Sequence, residues 1–199
     1  MADGTWRWAT DPRFPVWCVT FTRDLTPDEV LRRYGADPRT ARMLARGEAG
    51  GLYDLALHGG TVLRAGTADG WAFCYEDVGG AGSRSGLLGT LSRGTETLSL
   101  LHGGDGTNHL AYWRDGERID FELGPTGGTS RHAGLVPALR AVTRHTGVSL
   151  GADDLEGPLL TAYLAEAAPL RSPVTGGAGT ATVGRPLGAV RPASDPKHR

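Results

Sequence analysis

The sequence predicts an α+β fold: a mainly antiparallel sheet with helices packed on one face, followed by a disordered C-terminal tail. Three observations carry this. Several segments alternate large apolar residues with small or polar ones at period two, hairpin-type turns separate them, and helix signals stand at both ends of that run with one inside it. The tail follows from composition. Residues 171–199 are mostly Gly, Ala, Pro, Thr and Arg, with almost no large apolar side chains, and cannot bury enough area to offset ordering.

Residues 1–13 hold aromatics without a period and read as an irregular N-terminal arm. A single domain is expected over 14–168 and the tail over 169–199. Val16–Phe21 is β-branched and aromatic, which suits a strand. A marked helix start follows: Thr26 can cap, Pro27 takes the first helical position, and Glu29 completes a capping box. Val30, Leu31 and Tyr34 form its apolar stripe and Gly35 stops it. A second short helix is expected over Pro38–Arg46, with Met43 and Leu44 inward and Gly47 closing it.

Strands are expected at Tyr53–Leu57, Thr61–Ala65, Trp71–Asp77, Thr95–His102, Asn108–Arg114 and Arg118–Leu123. In the third, Trp71, Phe73 and Tyr75 alternate with Ala72, Cys74 and Glu76, which reads as one buried and one wet face. Asp69-Gly70, Gly103–Gly106 and Asp115-Gly116 are turn chemistry, the last a type I′ signal. Leu87, Leu88 and Leu91 place a helix over Ser85–Ser92. Further helices are expected over Pro137–His145 and Leu159–Ala167.

The formal charge of -1 argues against bulk attraction to nucleic acid or acidic membranes. No run approaches the roughly 20 apolar residues of a membrane span. The first residues lack both the basic start and the apolar stretch of a secretory signal, so a cytoplasmic location is expected. Lys197 is the only lysine, and the Arg, Ala and Gly bias is that of a high-GC genome. Cys18 and Cys74 lie in apolar, strand-like runs and read as buried free thiols.

Four features invite chemistry. The connection Gly79–Gly86 follows a strand and opens a helix, where backbone N–H groups favour anions, so Gly82, Ser83, Arg84 and Ser85 are candidate ligand-binding residues. A dinucleotide site needs a parallel βαβ unit, the Walker pattern needs a Lys, and Ala81 and Leu87 break the Gly-x-Ser-x-Gly elbow. A flexible connection capped by Ser83 or Ser85 is the commoner outcome. The hairpin with His102, Asp105 and His109 could offer three metal ligands, but a tight hairpin sends neighbours to alternate faces, and a plain turn is commoner. Glu76-Asp77, and Asp120 with Glu122, could do acid–base work only in a cleft. Trp6, Trp8, Trp17, Trp71 and Trp113 could stack on a base or sugar, though core packing suits them better without a basic groove.

The order of several motifs resembles a known family. These are Leu25–Leu31 with Gly35–Asp37, Gly70-Trp71, Gly82-Ser83, Leu91–Gly94, Gly106–Asn108, Thr146–Val148 and Gly157–Leu159. Together they are similar to an uncharacterised, mainly actinobacterial domain-of-unknown-function family, number 6461, over roughly residues 14–167. The motifs are turns, caps and core positions, so the resemblance implies a fold and brings no catalytic residues or cofactor.

No residue set meets the spacing of a known catalytic machine. The expected role is therefore a non-catalytic module, regulatory or immunity-like, that binds a protein partner and uses no cofactor. The alternatives are a metal-dependent or other hydrolase at His102, Asp105 and His109, and a nucleotide or small-ligand binder at Gly79–Gly86.

Overall fold

The computed structural model describes residues 4–119 and 134–165. In chain order the elements are β1 (Trp17–Arg23), α1 (Pro27–Tyr34), β2 (Arg42–Leu44), α2 (Gly50–Ala56), β3 (Thr61–Ala68), β4 (Trp71–Asp77) and α3 (Ser85–Leu91). Then come β5 (Glu96–His102), β6 (Asn108–Arg114), β7 (Glu117–Ile119), α4 (Leu135–Thr146), α5 (Ala152–Glu156) and β8 (Leu159–Leu164). The strands form one eight-stranded sheet in the order β2-β8-β3-β4-β1-β5-β6-β7, with every neighbouring pair antiparallel. The fold is α+β. One edge, β2, is a three-residue strand, which limits the unpaired backbone it offers to another chain.

The turns form as their residues dictate. Asp69 and Gly70 between β3 and β4, and Asp115 and Gly116 between β6 and β7, all have positive φ, as a type I′ turn requires. Thr26 caps α1 by accepting from the Glu29 amide at 3.3 Å, and Gly35 ends it at φ 94°. Only half of the expected capping box is used, because the Glu29 carboxylate turns to Arg32 and Arg33 instead.

Helices cover both faces of the sheet, where one covered face was expected. Trp17, Val19 and Phe21, with Trp71, Phe73 and Tyr75, pack against α4, α5 and the segment Gly4–Thr10. The opposite face carries Leu63, Ala65, Ala72, Cys74, Ala111 and Ala162 beneath α1 and α3. The alternation in β4 is therefore large against small, not dry against wet: the small side chains let helices close on that face, and all seven residues are buried. Trp6, Trp8, Trp17 and Trp71 are core residues; Trp6 donates to Thr143 Oγ1 at 2.9 Å and Trp8 to the Leu150 carbonyl at 2.7 Å. Fully burying side chains of this size contributes roughly 2–3 kcal/mol each.

Three elements differ in type from expectation. Pro38–Arg46 is not a helix: Asp37 caps a single turn at Pro38–Thr40, and β2 follows, pairing Met43 with Leu160 and leaving Met43 62% exposed. Tyr53–Leu57 lies in α2 and its C-cap rather than in a strand, and Leu159–Ala167 begins as strand β8 rather than a helix. Both are short apolar runs whose spacing fits either state, so partners decide. Leu159 faces one core while Leu160, Ala162 and Leu164 face the other. The expected strand over Arg118–Leu123 is met by β7 as far as Ile119; its remainder, the Asp120 and Glu122 pair and the tail lie outside the described residues. Among the described residues no helix is long and apolar enough to cross a membrane.

Candidate functional site

Glu76 and Asp77 end β4 pointing to opposite faces, and both are buried. On the α1 and α3 side, Glu76 accepts from the Ala81 amide at 2.7 Å, the Gly82 amide at 2.6 Å and the Tyr34 hydroxyl at 3.3 Å. Burial pushes its carboxyl up, while the two amides and Tyr34 pull the other way. The glycine-rich connection does wrap an anion, but the anion is the protein's own. Of the expected ligand residues, Gly82 gives its amide to Glu76 and its carbonyl to Ser99 at 2.7 Å. Ser83 bonds the Gly80 carbonyl at 2.8 Å, and Arg84 and Ser85 open α3 with no side-chain cap. The loop amides are thus turned inward, committed to structure.

The metal candidates sit apart. Leu101 pairs with His109 and His102 with Asn108, so the two His side chains leave opposite faces of the sheet. His102 Nδ1 lies 2.7 Å from Asn108 Oδ1 and its ring is 5.4 Å from Trp17. Asp105 closes the turn by accepting from the Thr107 amide at 2.9 Å, and that bond holds its carboxyl below the usual range. Among the described residues no three His, Cys, Asp or Glu gather as a metal site would require.

At the other end of β1 and β4, Glu96 collects four donors. Tyr112 Oη stands at 2.5 Å, Arg23 Nη1 at 2.9 Å, Arg114 Nη2 at 3.1 Å and His145 Nε2 at 3.3 Å. Burial pushes the Glu96 carboxyl up, but these donors outweigh it and hold it at about 2. Burial, then the bond to Glu96, pushes Tyr112 up to about 12. This network pins α4 to β5 and β6, with its two arginines at the surface. The thiols are equally quiet: Cys18 and Cys74 are free and fully buried, and burial pushes both well above the ordinary thiol range.

The open site lies on the other side of Asp77. A cleft of about 820 Å³ is lined by Arg13, Arg46, Tyr53, Asp77, Val78 and Glu156, among others. Arg46 donates to Asp77 Oδ2 from Nε at 2.8 Å and Nη2 at 2.6 Å, and its guanidinium lies 4.5 Å from the Phe14 ring centroid. Arg13 pairs with Asp11 and Glu156, so the lining is charge-balanced. A narrower pocket of about 150 Å³ opens beside it under α2, between Tyr53, Ala56, Leu57, Thr61, Asp77 and Val78.

Val78 borders both spaces. It has φ 58°, a left-handed conformation that a β-branched side chain adopts only under strain, and its amide is held by the Val16 carbonyl at 3.0 Å. Its side chain is 70% exposed, beside Leu57 at 82%. Such a surface suits contact with an apolar group over a polar, pre-organised floor. Sequence reasoning named Asp77 with Glu76 as an acid–base pair that would need a cleft, with a charged strand end the commoner outcome, and missed Arg46, Tyr53 and Val78 as site residues. Arg46 is one of many arginines, and nothing local to Val78 signals its conformation.

A model of a family described as a family of unknown function (DUF6461) matches residues 2–168. No curated protein and no solved structure matches the chain.

Proposed function

The chain belongs to DUF6461, and from the geometry of its cleft we propose that it is a non-catalytic module that holds a segment of a partner protein at the end of β4. The observation that carries this is Val78: an apolar, exposed side chain kept in a strained conformation at the mouth of the 820 Å³ cleft. Strain of that kind persists only where the surroundings enforce it, and it concentrates at working sites. Exposed Leu57 lines the adjoining pocket with Val78, and Arg46 and Tyr53 are residue types enriched among binding hot spots.

Such a module acts by occupancy, in a regulatory or immunity-like role. A cytoplasmic location fits Cys18 and Cys74, diagonal neighbours on one sheet face that remain free thiols. The arginine-rich, nearly lysine-free composition fits an actinobacterial source.

A photocrosslinking amino acid placed at Leu55 or Leu57 tests the site, with Val136 on α4 as the control. One partner protein of the same mass should be captured from both positions near the cleft and not from position 136. No adduct from position 57 in the source cells, or the same adduct from position 136, would contradict the assignment.

A further inference from the structure

The helix α2 stands between the 820 Å³ cleft and the 150 Å³ pocket. Tyr53 on α2, with Asp77 and Val78 at the end of β4, lines both spaces, so the two would join if α2 moved. Little holds it in place. It is seven residues long, none of them fully buried, and Ala49 at its start gives no side-chain cap. Leu55 is 53% exposed, and Leu57, just past its end, 82%. Tyr53 is its anchor, half-buried and with its hydroxyl bonded to Arg46.

A glycine pair stands at each end. The turn Arg46–Ala49 runs directly into α2, so Gly50 and Gly51 lie inside one helical path. Nothing there asks for glycine: Gly50 has helical angles of φ -49° and ψ -48°, and a Cβ on either residue would meet nothing within 4 Å. Each glycine therefore costs the helix stability that alanine would supply. At the other end Gly59 and Gly60 have φ 119° and 127°, which favour glycine. Gly60 is a fixed pivot, because a Cβ on it would lie 2.6 Å from both the Leu164 carbonyl oxygen and the Tyr163 hydroxyl. The flanking segments are firm. Ala49 is fully buried, Arg46 is bonded to Asp77, and β3 lies inside the sheet between β8 and β4. Compliance is thus confined to the helix and its two joints.

We propose that α2 is a lid that opens as a unit on these two glycine pairs, joining pocket to cleft so that the partner segment occupies the joined space. This motion presupposes the cleft as the partner site and adds how the segment gains entry. What lies beneath favours opening. Asp77 is more than nine-tenths buried, and its Oδ1 has no hydrogen-bond partner among the described residues. A buried acceptor left unpaired is costly, and lifting α2 gives it water or a donor from the segment. The cost of opening is correspondingly small, as a gate requires.

Native-state amide exchange tests the lid, with the double variant Gly50→Ala and Gly51→Ala as its lock. In the wild type the amides of Asp54–Leu57 should share one protection factor, roughly a hundredfold or more below those of Phe73 and Cys74 in β4, and should not respond to low urea. The lock should slow these α2 amides about five- to thirtyfold, the worth of two glycine exchanges inside a helix. It should weaken affinity for the partner captured from position 57 by a similar factor, since the closed state does not admit the segment. Protection of α2 equal to that of β4, exchange unaltered by the lock, or an affinity that holds or rises would each overturn the lid. Capture from position 57 and not from position 136 would in those cases leave the cleft assignment standing. Fast, lock-sensitive exchange of α2 with no captured partner would remove the cleft assignment and, with it, the role of the lid.

Discussion

Gly82→Ala is expected to destabilise the domain by about 3 kcal/mol or more, while Gly80→Ala, two residues away in the same connection, costs less than about 1 kcal/mol. A Cβ on Gly82 would lie 2.5 Å from Tyr34 Oη, 2.8 Å from Glu76 Oε1 and 2.8 Å from Thr20 Cγ2. None of these can retreat easily, since Tyr34 is bonded to Thr20 at 2.9 Å and Glu76 is fixed by two amides. Opening the space would separate the Gly82 amide from a fully buried carboxylate, leaving a charge without its donors. A Cβ on Gly80 meets nothing closer than 3.7 Å. Urea denaturation of the two variants checks this; equal losses would mean that the loop is not packed around Glu76 as described.

Glu96→Gln should cost about 2–3 kcal/mol at neutral pH, and the loss should shrink in acid. The Glu96 carboxyl is held at about 2 against an ordinary value of 4.5. Folding therefore releases a proton between those values. The stabilisation is complete above about pH 4.5 and is lost as pH falls from 4.5 towards 2. The figure follows from the size of the shift, trimmed because Arg23 and Arg114 are each 56% exposed and solvent screens them. Stability of wild type and variant measured at pH 7, 4.5 and 3 should converge as pH falls. A difference independent of pH would show that Glu96 acts through packing alone.

Much of the fold was legible because its signals are local. Thr26, Pro27 and Gly35 bound α1 through backbone chemistry that needs no tertiary partner, and Asp115-Gly116 fixes a turn on its own. What was not legible depends on neighbours. Leu159–Leu164 becomes a strand because β2 and β3 flank it, and Tyr53–Leu57 lies in a helix and its C-cap although Tyr53, Leu55 and Leu57 alternate. The second covered face was hidden by small residues: Ala72 and Cys74 look like spacers until α1 and α3 close on them. At the site, the glycine connection offered an anion cradle as the rarer reading beside a flexible connection; two of its amides hold the protein's own Glu76, five and six residues earlier in the chain. Val78 could not be found from sequence, because its conformation is imposed by the Val16 carbonyl from a different strand entry.

The claim that the cleft exists to be occupied is tested most directly by Val78→Gly, measuring folding free energy and affinity for the crosslinked partner on the same protein. Glycine adopts φ 58° without strain, so stability should rise by roughly 0.5–1 kcal/mol. The lost side chain should weaken partner binding at least about tenfold. A variant that is more stable and binds just as well, or one that is destabilised, would contradict the account.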